Sequence, residues 1–298
     1  MFIKYTIPSN TKPGQYSFSV VVQELGGMNE EKRIITFRVV DKAIGSVDLT
    51  LENLGFIKIQ GGTYNMGSND YQFDERPSQS NKVNTFYIMD HELTFKEIFL
   101  LKEVFPDTIL MSLVSQTRDY YLIPDEERID YYPVSVNFEQ SQKIAELLSK
   151  KLNKKIRLPQ ENEWEYAARG GLKNKDYVWG NETDSLDGIA VIDLLNAIPS
   201  CFPMGLCPYQ VKTKTPPNNY GLFDMAGNVW EWTSSVYNKY PFKHIDVSKY
   251  FSKYDEKNMV YASIRGGGYA EETSEFRVSF RGIASKYSDY GCRFVYSN

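Results

Sequence analysis

Residues 16–24, Tyr-Ser-Phe-Ser-Val-Val-Val-Gln-Glu, set apolar side chains largely at alternate positions, and a second apolar run at 34–40 follows Gly26-Gly27-Met28-Asn29. Period-two alternation on both sides of a Gly/Asn cluster predicts a β-hairpin. Pro13-Gly14 supplies a turn ahead of it, and the stretch has the character of the closing strands of an immunoglobulin-like sandwich. A lone hairpin is marginally stable, so it is expected to pack on the main domain or to be the remnant of a truncated neighbour. Because Met1 falls abruptly into strand-like sequence, an upstream segment carrying a signal, a lipid anchor or a further domain is expected. Residues 1–45 are read as this β segment, 46–55 as a linker and 56–298 as the main domain.

From Phe56 onward the pattern changes to short strands, two or three helices and long loops rich in Asn, Asp, Ser and Gly. This predicts an irregular α+β domain. One helix is well signalled, with Asn137 as its cap, Gln140 three residues later, and an apolar stripe of Ile144, Leu147, Leu148 and Leu152. A second is expected from about 159 to 169, with Pro159 at its start, acidic first turns, and Gly170-Gly171 at its end. Residues 176–219 contain Pro199, Pro203, Pro208, Pro216 and Pro217 with little periodicity. They are expected to be mostly loop, of a length that tends to be functional or ligand-stabilised.

Composition narrows the function classes. In 298 residues, 42% hydrophobic and 24% charged, there is enough apolar material for a substantial core. Lys and Arg number 34 against 38 Asp and Glu, a net charge of −4. That balance lacks the basic excess that phosphate backbones demand, so nucleic acid is not an expected partner. No apolar run approaches the ~20 residues of a transmembrane helix. The two histidines, His91 and His244, are far apart, which excludes a poly-histidine metal centre. Cys201, Cys207 and Cys292 are odd in number, and the first two are spaced for a small loop disulfide or remain free thiols. Nothing resembles a coiled coil or a long edge strand made for pairing, so a monomer is expected.

Several segments then line up in order with one family. They are Ile59-Gln60-Gly61-Gly62-Thr63-Tyr64-Asn65-Met66-Gly67-Ser68, Glu92-Leu93-Thr94 and Pro133-Val134-Ser135-Val136, followed by more specific stretches. Those run from Arg157-Leu158-Pro159 through Glu163-Trp164-Glu165 to Gly171, and from Asn219-Tyr220-Gly221 through Gly227-Asn228-Val229-Trp230-Glu231-Trp232 to Thr233. Arg265-Gly266-Gly267-Gly268-Tyr269 and Gly291-Cys292-Arg293-Phe294 complete the set. Over about 240 residues the chain resembles the formylglycine-generating enzyme (sulfatase-modifying factor) family. The resemblance implies a C-type lectin fold in that family's elaboration, with Trp164, Trp230 and Trp232 in the core. It also implies a catalytic cysteine pair after the Arg-Gly-Gly motif, where this chain has Glu271 and Phe276. Neither can form a thiolate. Cys292 stands where the family usually has Phe and is expected to be a buried or partly exposed thiol. The related sulfoxide synthases use an iron-binding histidine cluster on an extra helical domain, which this chain does not match. A non-catalytic member is therefore expected, with no required cofactor. A structural calcium is the one cofactor the resemblance leaves open, held by Asn228 and Glu231 with the backbone of Gly227 and Val229; the alternative is that these residues only bond their own loop.

The segment 280–292, Phe-Arg-Gly-Ile-Ala-Ser-Lys-Tyr-Ser-Asp-Tyr-Gly-Cys, mixes aromatic, small and polar residues without an apolar face and does not read as a core element. Here the chain also resembles retroelement-diversified variable proteins of the same fold, in which template adenines are randomised at Asn codons. Apart from Lys286, each residue of the segment is reachable that way. The mixture suits a receptor-binding patch, since Tyr and Phe offer rigid contact area and Ser, Gly and Asp adaptable hydrogen bonding. Candidate ligand-binding residues are Tyr269, Glu271, Phe280, Gly282, Ile283, Ser285, Tyr287, Ser288, Asp289 and Tyr290. The expected ligand is an external protein or glycan, met outside the cytoplasm at the cell surface. The rival readings are an accessory scaffold lipoprotein of the envelope and a formylglycine-generating oxidase.

Overall fold

A computed structural model describes residues 14–23, 30–39, 49–105, 131–181, 208–251, 260–271 and 273–298. The chain divides into two compact units, Met1–Asp48 and Leu49–Asn298. The first contains the antiparallel pair β1 (Gly14–Gln23) and β2 (Glu30–Val39), with Tyr16 opposite Phe37 and Phe18 opposite Ile35. β2 begins earlier than its apolar run, because the charged residues Glu30–Arg33 continue the ladder against Val20–Gln23 without contributing a hydrophobic signal. The turn expected at Gly26–Asn29 lies outside the described residues, as do Cys201, Cys207 and most of the long proline-containing segment.

In the second unit the strands are short: β3 (Phe56–Ile59), β4 (Gly62–Met66), β5 (Gln79–Val83) and β6 (Phe86–Met89). Then come the helices α1 (Phe95–Val104), α2 (Phe138–Leu152) and α3 (Glu161–Ala168), and the strand β7 (Glu231–Val236). The single turn α4 (Ser248–Phe251), β8 (Ala262–Arg265), β9 (Gly282–Ala284) and β10 (Val295–Tyr296) complete the unit. They form three small antiparallel sheets, in the orders β10-β6-β3, β4-β5 and β7-β8-β9. Mixed helices and sheets with much loop agree with the expected α+β class. Residues 49–55, read from the sequence as linker, fall in the larger unit, where Leu54 is fully buried and Leu49 nearly so, both in the main core cluster.

Both expected helices form where their caps are. The Asn137 side chain accepts from the Gln140 amide at 3.0 Å while Gln140 Oε1 accepts from the Asn137 amide at 2.9 Å. Ile144, Leu147 and Leu148 are buried, and Leu152 packs at the edge of the same cluster. α3 begins after Gln160 and ends at Gly170 and Gly171, whose φ angles of 56° and 79° need residues without a Cβ. His91, which has no ligand-like neighbours in a histidine motif, sits between Asp90 (2.5 Å) and Glu97 (3.4 Å) as a buried polar bridge.

Charged side chains bind the loops to this frame. Glu161 and Glu165 lie one turn apart on α3 and are fully buried. Glu161 receives Arg281 through Nε (2.6 Å) and Nη2 (2.9 Å), and Glu165 receives Arg169 through Nη2 (2.7 Å) and the Gly67 amide (2.8 Å). Arg265 spans both, pairing with Glu165 and lying 3.4 Å from Glu161. Glu231 on β7 accepts from Arg293 Nη2 (2.6 Å) and from the Trp164 indole (2.8 Å). Glu75 accepts from Arg277 (2.7 Å) and Ser279 (2.6 Å). Arg293 is the only cation bonded to Glu231 among the described residues, so its loss strands a buried carboxylate. Arg293→Met is expected to cost about 3–5 kcal/mol, read as a lower urea midpoint with unchanged slope.

Candidate functional site

The site is built around Trp230, the residue before β7. The Arg265-Gly-Gly-Gly-Tyr269 turn and the β9 region converge on it. Its ring is admitted by glycines: a Cβ at Gly282 would stand 2.9 Å from Trp230 Cζ3, and one at Gly268 would stand 3.0 Å from Cδ1. Trp230 Nε1 donates to Glu271 Oε1 at 2.9 Å, and its ring centroid lies 6.0 Å from that of Phe280. On the other side Tyr290 is pinned by paired backbone bonds with Val136 (2.9 and 3.1 Å) and packs edge-on against Trp232 at 5.3 Å.

Two adjoining cavities share Trp230, Glu271 and Tyr290. The first, of about 340 Å³, is also lined by Tyr269, Asp289 and Ser135. The second, of about 370 Å³, is also lined by Phe280, Gly282, Ile283, Tyr237 and Phe73-Asp74. The Tyr290 phenol is pushed above its ordinary pKa by burial and then by the neighbouring Glu271 charge. Tyr237 is raised by burial and by donating to Asp74 at 2.5 Å.

Of the sequence candidates, Tyr269, Glu271, Phe280, Gly282, Ile283, Asp289 and Tyr290 line this groove. Ser285, Tyr287 and Ser288 lie on the turn after β9, closed by the Ser288 amide to the Ser285 carbonyl at 3.1 Å, and do not line either cavity. Tyr287 is 71% exposed there. The segment 280–292 is also not free of core: Arg281, Ala284 and Cys292 are buried, with Ala284 opposite Ala262 of β8 and Arg281 reaching Glu161. Phe280 is only 8% exposed, whereas Ile283 is 52% exposed.

Trp230 corrects the expectation that all three motif tryptophans are core. Trp164 and Trp232 are fully buried, but Trp230 is half-buried and walls the groove. Asp74, Phe73 and Tyr237 were missed because they are remote in sequence and carry no local motif. The glycines at 268 and 282 were the available signal, marking a close approach by something large.

Asn228 and Glu231 do not fit the expected calcium site as placed. Asn228 Oδ1 accepts from the Tyr209 amide (2.8 Å), its Nδ2 donates to Glu92 Oε2 (3.0 Å), and both Glu231 oxygens are taken by Arg293 and Trp164. Among the described residues no group of three or more His, Cys, Asp or Glu is arranged to hold a metal. The Cys292 thiol is fully buried, and its pKa is pushed up by burial and by Glu231 and Glu92. Phe276, at the second of the implied cysteine positions, is buried beside Tyr177 and Ala226 and lines neither cavity.

A loop-rich α+β scaffold stitched by buried ion pairs, with a preformed aromatic and acidic groove at the Arg-Gly-Gly turn, defines a formylglycine-generating-enzyme-like fold. The chain matches the sulfatase-modifying factor enzyme 1-like domain over residues 45–297 and belongs to that family. It is 46% identical over 90 residues to the inactive C-alpha-formylglycine-generating enzyme 2 of Mus musculus, a match covering 27% of this chain and 26% of that protein. It is 40% identical over 87 residues to the Mus musculus formylglycine-generating enzyme, covering 26% and 22%. With serine/threonine-protein kinase pkn1 of Chlamydia pneumoniae it shares 28% identity over 235 residues, 76% of this chain and 34% of that one. These matches thus span about a third or less of the curated relatives' lengths. Among solved structures, PvdO from Pseudomonas aeruginosa superposes with TM-score 0.61 at 23% identity, covering 82% of this chain and 94% of that one. Treponema denticola variable protein 1 does so with TM-score 0.61 at 21% identity, covering 82% and 95%.

The two tryptophans of the strand region should separate on truncation. Trp232→Ala is expected to cost about 3–5 kcal/mol, and Trp230→Ala less than half as much, by urea denaturation followed by circular dichroism.

Proposed function

We propose that this chain is a non-catalytic member of its family, with the C-type-lectin type of fold, that captures an external macromolecule in the groove around Trp230. The observation that carries this reading is the convergence of Tyr269, Glu271, Phe280, Ile283, Asp289 and Tyr290 on one preformed cavity system. Its aromatic walls are held by backbone and indole hydrogen bonds, so binding orders few side chains. The chemistry implied by the family needs thiolates. Glu271 occupies the groove at the first implied cysteine position, Phe276 is buried at the second, and the Cys292 thiol is shielded in the core. Relatives named inactive formylglycine-generating enzyme 2 in Mus musculus and Bos taurus support the existence of non-catalytic members.

The pure protein, incubated with copper and a cysteine-bearing sulfatase peptide, is expected to leave the peptide's mass unchanged. Conversion of the cysteine to an aldehyde overturns the non-catalytic reading.

Diversification is the second part of the proposal. Ile283, Tyr287 and Asp289 are exposed, whereas Gly282 is held by the approach of Trp230 and of Ile264, 2.7 Å from a would-be Cβ. Sequencing the locus in several isolates should reveal a nearby reverse transcriptase and a near-copy of these codons, with changes at template adenines. A locus with no such copy refutes diversification and leaves a groove of fixed sequence.

A further inference from the structure

Another cavity, of about 420 Å³, shares no lining residue with the groove. Its walls come from β4, from α3 and the turn after it, and from Tyr220. Three tyrosines stand side by side along it. The ring centroids of Tyr64 and Tyr166 lie 5.2 Å apart at 60°, and those of Tyr166 and Tyr220 lie 6.1 Å apart at 43°. Two of the hydroxyls are tied back into the protein, Tyr64 donating to the Asn162 carbonyl at 2.8 Å and Tyr166 to the Gln60 carbonyl at 2.9 Å. Those bonds fix the rings, and glycines make room for them. A Cβ at Gly62 would stand 2.7 Å from the Tyr166 hydroxyl oxygen, and one at Gly171 would stand 3.2 Å from that of Tyr220. All three tyrosines are only partly buried, so ring surface is left open to the cavity.

The polar groups beside these rings are short and mostly uncharged. Thr63 and Asn65 of β4 and Asn174 of the turn line the same space, and hydroxyl and amide groups both donate and accept hydrogen bonds. Among the described residues no carboxylate lines it. Of its two cations, Arg169 is spent inside the protein. Its Nε (3.0 Å) and Nη2 (2.7 Å) hold Glu165, Nη2 also donates to the Gly67 carbonyl (3.1 Å), and Nη1 donates to the Lys175 carbonyl (3.2 Å). Lys173 is exposed to water, and a single solvated ammonium is a weak basis for holding an anion. A flat aromatic ligand needs a parallel-sided slot to stack in, whereas these rings are inclined to one another. A sugar matches the wall on both counts. The C–H face of a pyranose packs on an aromatic ring, and the hydroxyls at its edge donate and accept as the amides do. The volume lies in the range of small-molecule sites.

We propose that this tyrosine cleft binds a neutral saccharide, with the sugar ring seated on Tyr166 and Tyr220 and its hydroxyls turned to Asn174 and the β4 residues. The cleft is separate from the groove around Trp230 and goes beyond the reading given above.

The full chain is screened on an array of immobilised glycans, whose multivalent display compensates for weak single-sugar affinity. The neutral glycan that binds best is then titrated against the protein in solution. Its binding is expected to persist in about 0.5 M salt and to fall at least about tenfold for one or more of its single-centre epimers. Both arms use the wild type and depend on no variant folding. Tyr220→Leu, which keeps apolar volume, and Asn174→Gly, which suits the φ of 54° at that position, should each weaken binding at least about tenfold, with thermal melting used to verify the fold. Failure to bind any neutral glycan, equal binding of all epimers, or binding indifferent to both variants overturns the saccharide site. Binding confined to acidic glycans and abolished by salt does so too, since it reduces the contact to the Lys173 charge. A glycan lost with Trp230→Ala but retained by Tyr220→Leu and Asn174→Gly sits in the groove; that result overturns this cleft and supports the groove.

Discussion

Arg265 lies fully buried between two carboxylates one helical turn apart, Glu161 and Glu165 on α3, and the loops of the larger unit are organised about that contact. Each carboxylate then reaches outward again, Glu161 to Arg281 beside β9, and Glu165 to Arg169 and to the Gly67 amide after β4. Three chain segments distant in sequence are thereby fixed to one short helix. The regular sheets are too small to do this, since β8 and β9 have only four and three residues. Guanidinium forks supply direction where backbone ladders are lacking. Burying these ions carries a desolvation penalty, so the network contributes more to which structure forms than to how stable it is.

The groove inherits its rigidity from that network. Arg281 ties the start of β9 to α3, and the Glu231–Arg293 pair ties β7 to the C-terminal segment. Trp230 and Trp232 flank Glu231 yet have opposite fates. Trp232 donates its indole hydrogen to the Val136 carbonyl at 2.7 Å inside the core, whereas Trp230 precedes the strand and leans outward through the space left by Gly268 and Gly282 to reach Glu271. Side chains that hold the frame and side chains that face the groove therefore alternate within a few residues. The same holds for 280–292, where buried Arg281, Ala284 and Cys292 interleave with exposed Ile283, Tyr287 and Asp289.

That interleaving gives the groove two kinds of position. The walls are internally bonded, Trp230 to Glu271 and Tyr290 to Val136. Ile283 at the rim and Tyr287 on the following turn are exposed. Glu271 Oε1 accepts from the Trp230 indole, and its charge adds to burial in raising the Tyr290 phenol.

The α+β class, both capped helices, the antiparallel pairing of β1 with β2 and family membership were legible in the sequence, because each depends on local signals: Asn137 with Gln140, Gly170-Gly171 after α3, period-two alternation at 16–24, and ordered motifs. Part of the groove's C-terminal side was legible too, since Tyr269, Glu271, Phe280, Gly282, Ile283, Asp289 and Tyr290 line it while Ser285, Tyr287 and Ser288 do not. Tertiary structure alone decided that Trp230 faces a cavity, that Asn228 and Glu231 spend their oxygens on Tyr209, Trp164 and Arg293, and that Asp74 joins the groove with one oxygen unpaired. Each of those outcomes depends on which distant group completes a hydrogen bond or fills the space beside a glycine. Such partners meet only when the loops close, and no local pattern of residues encodes them.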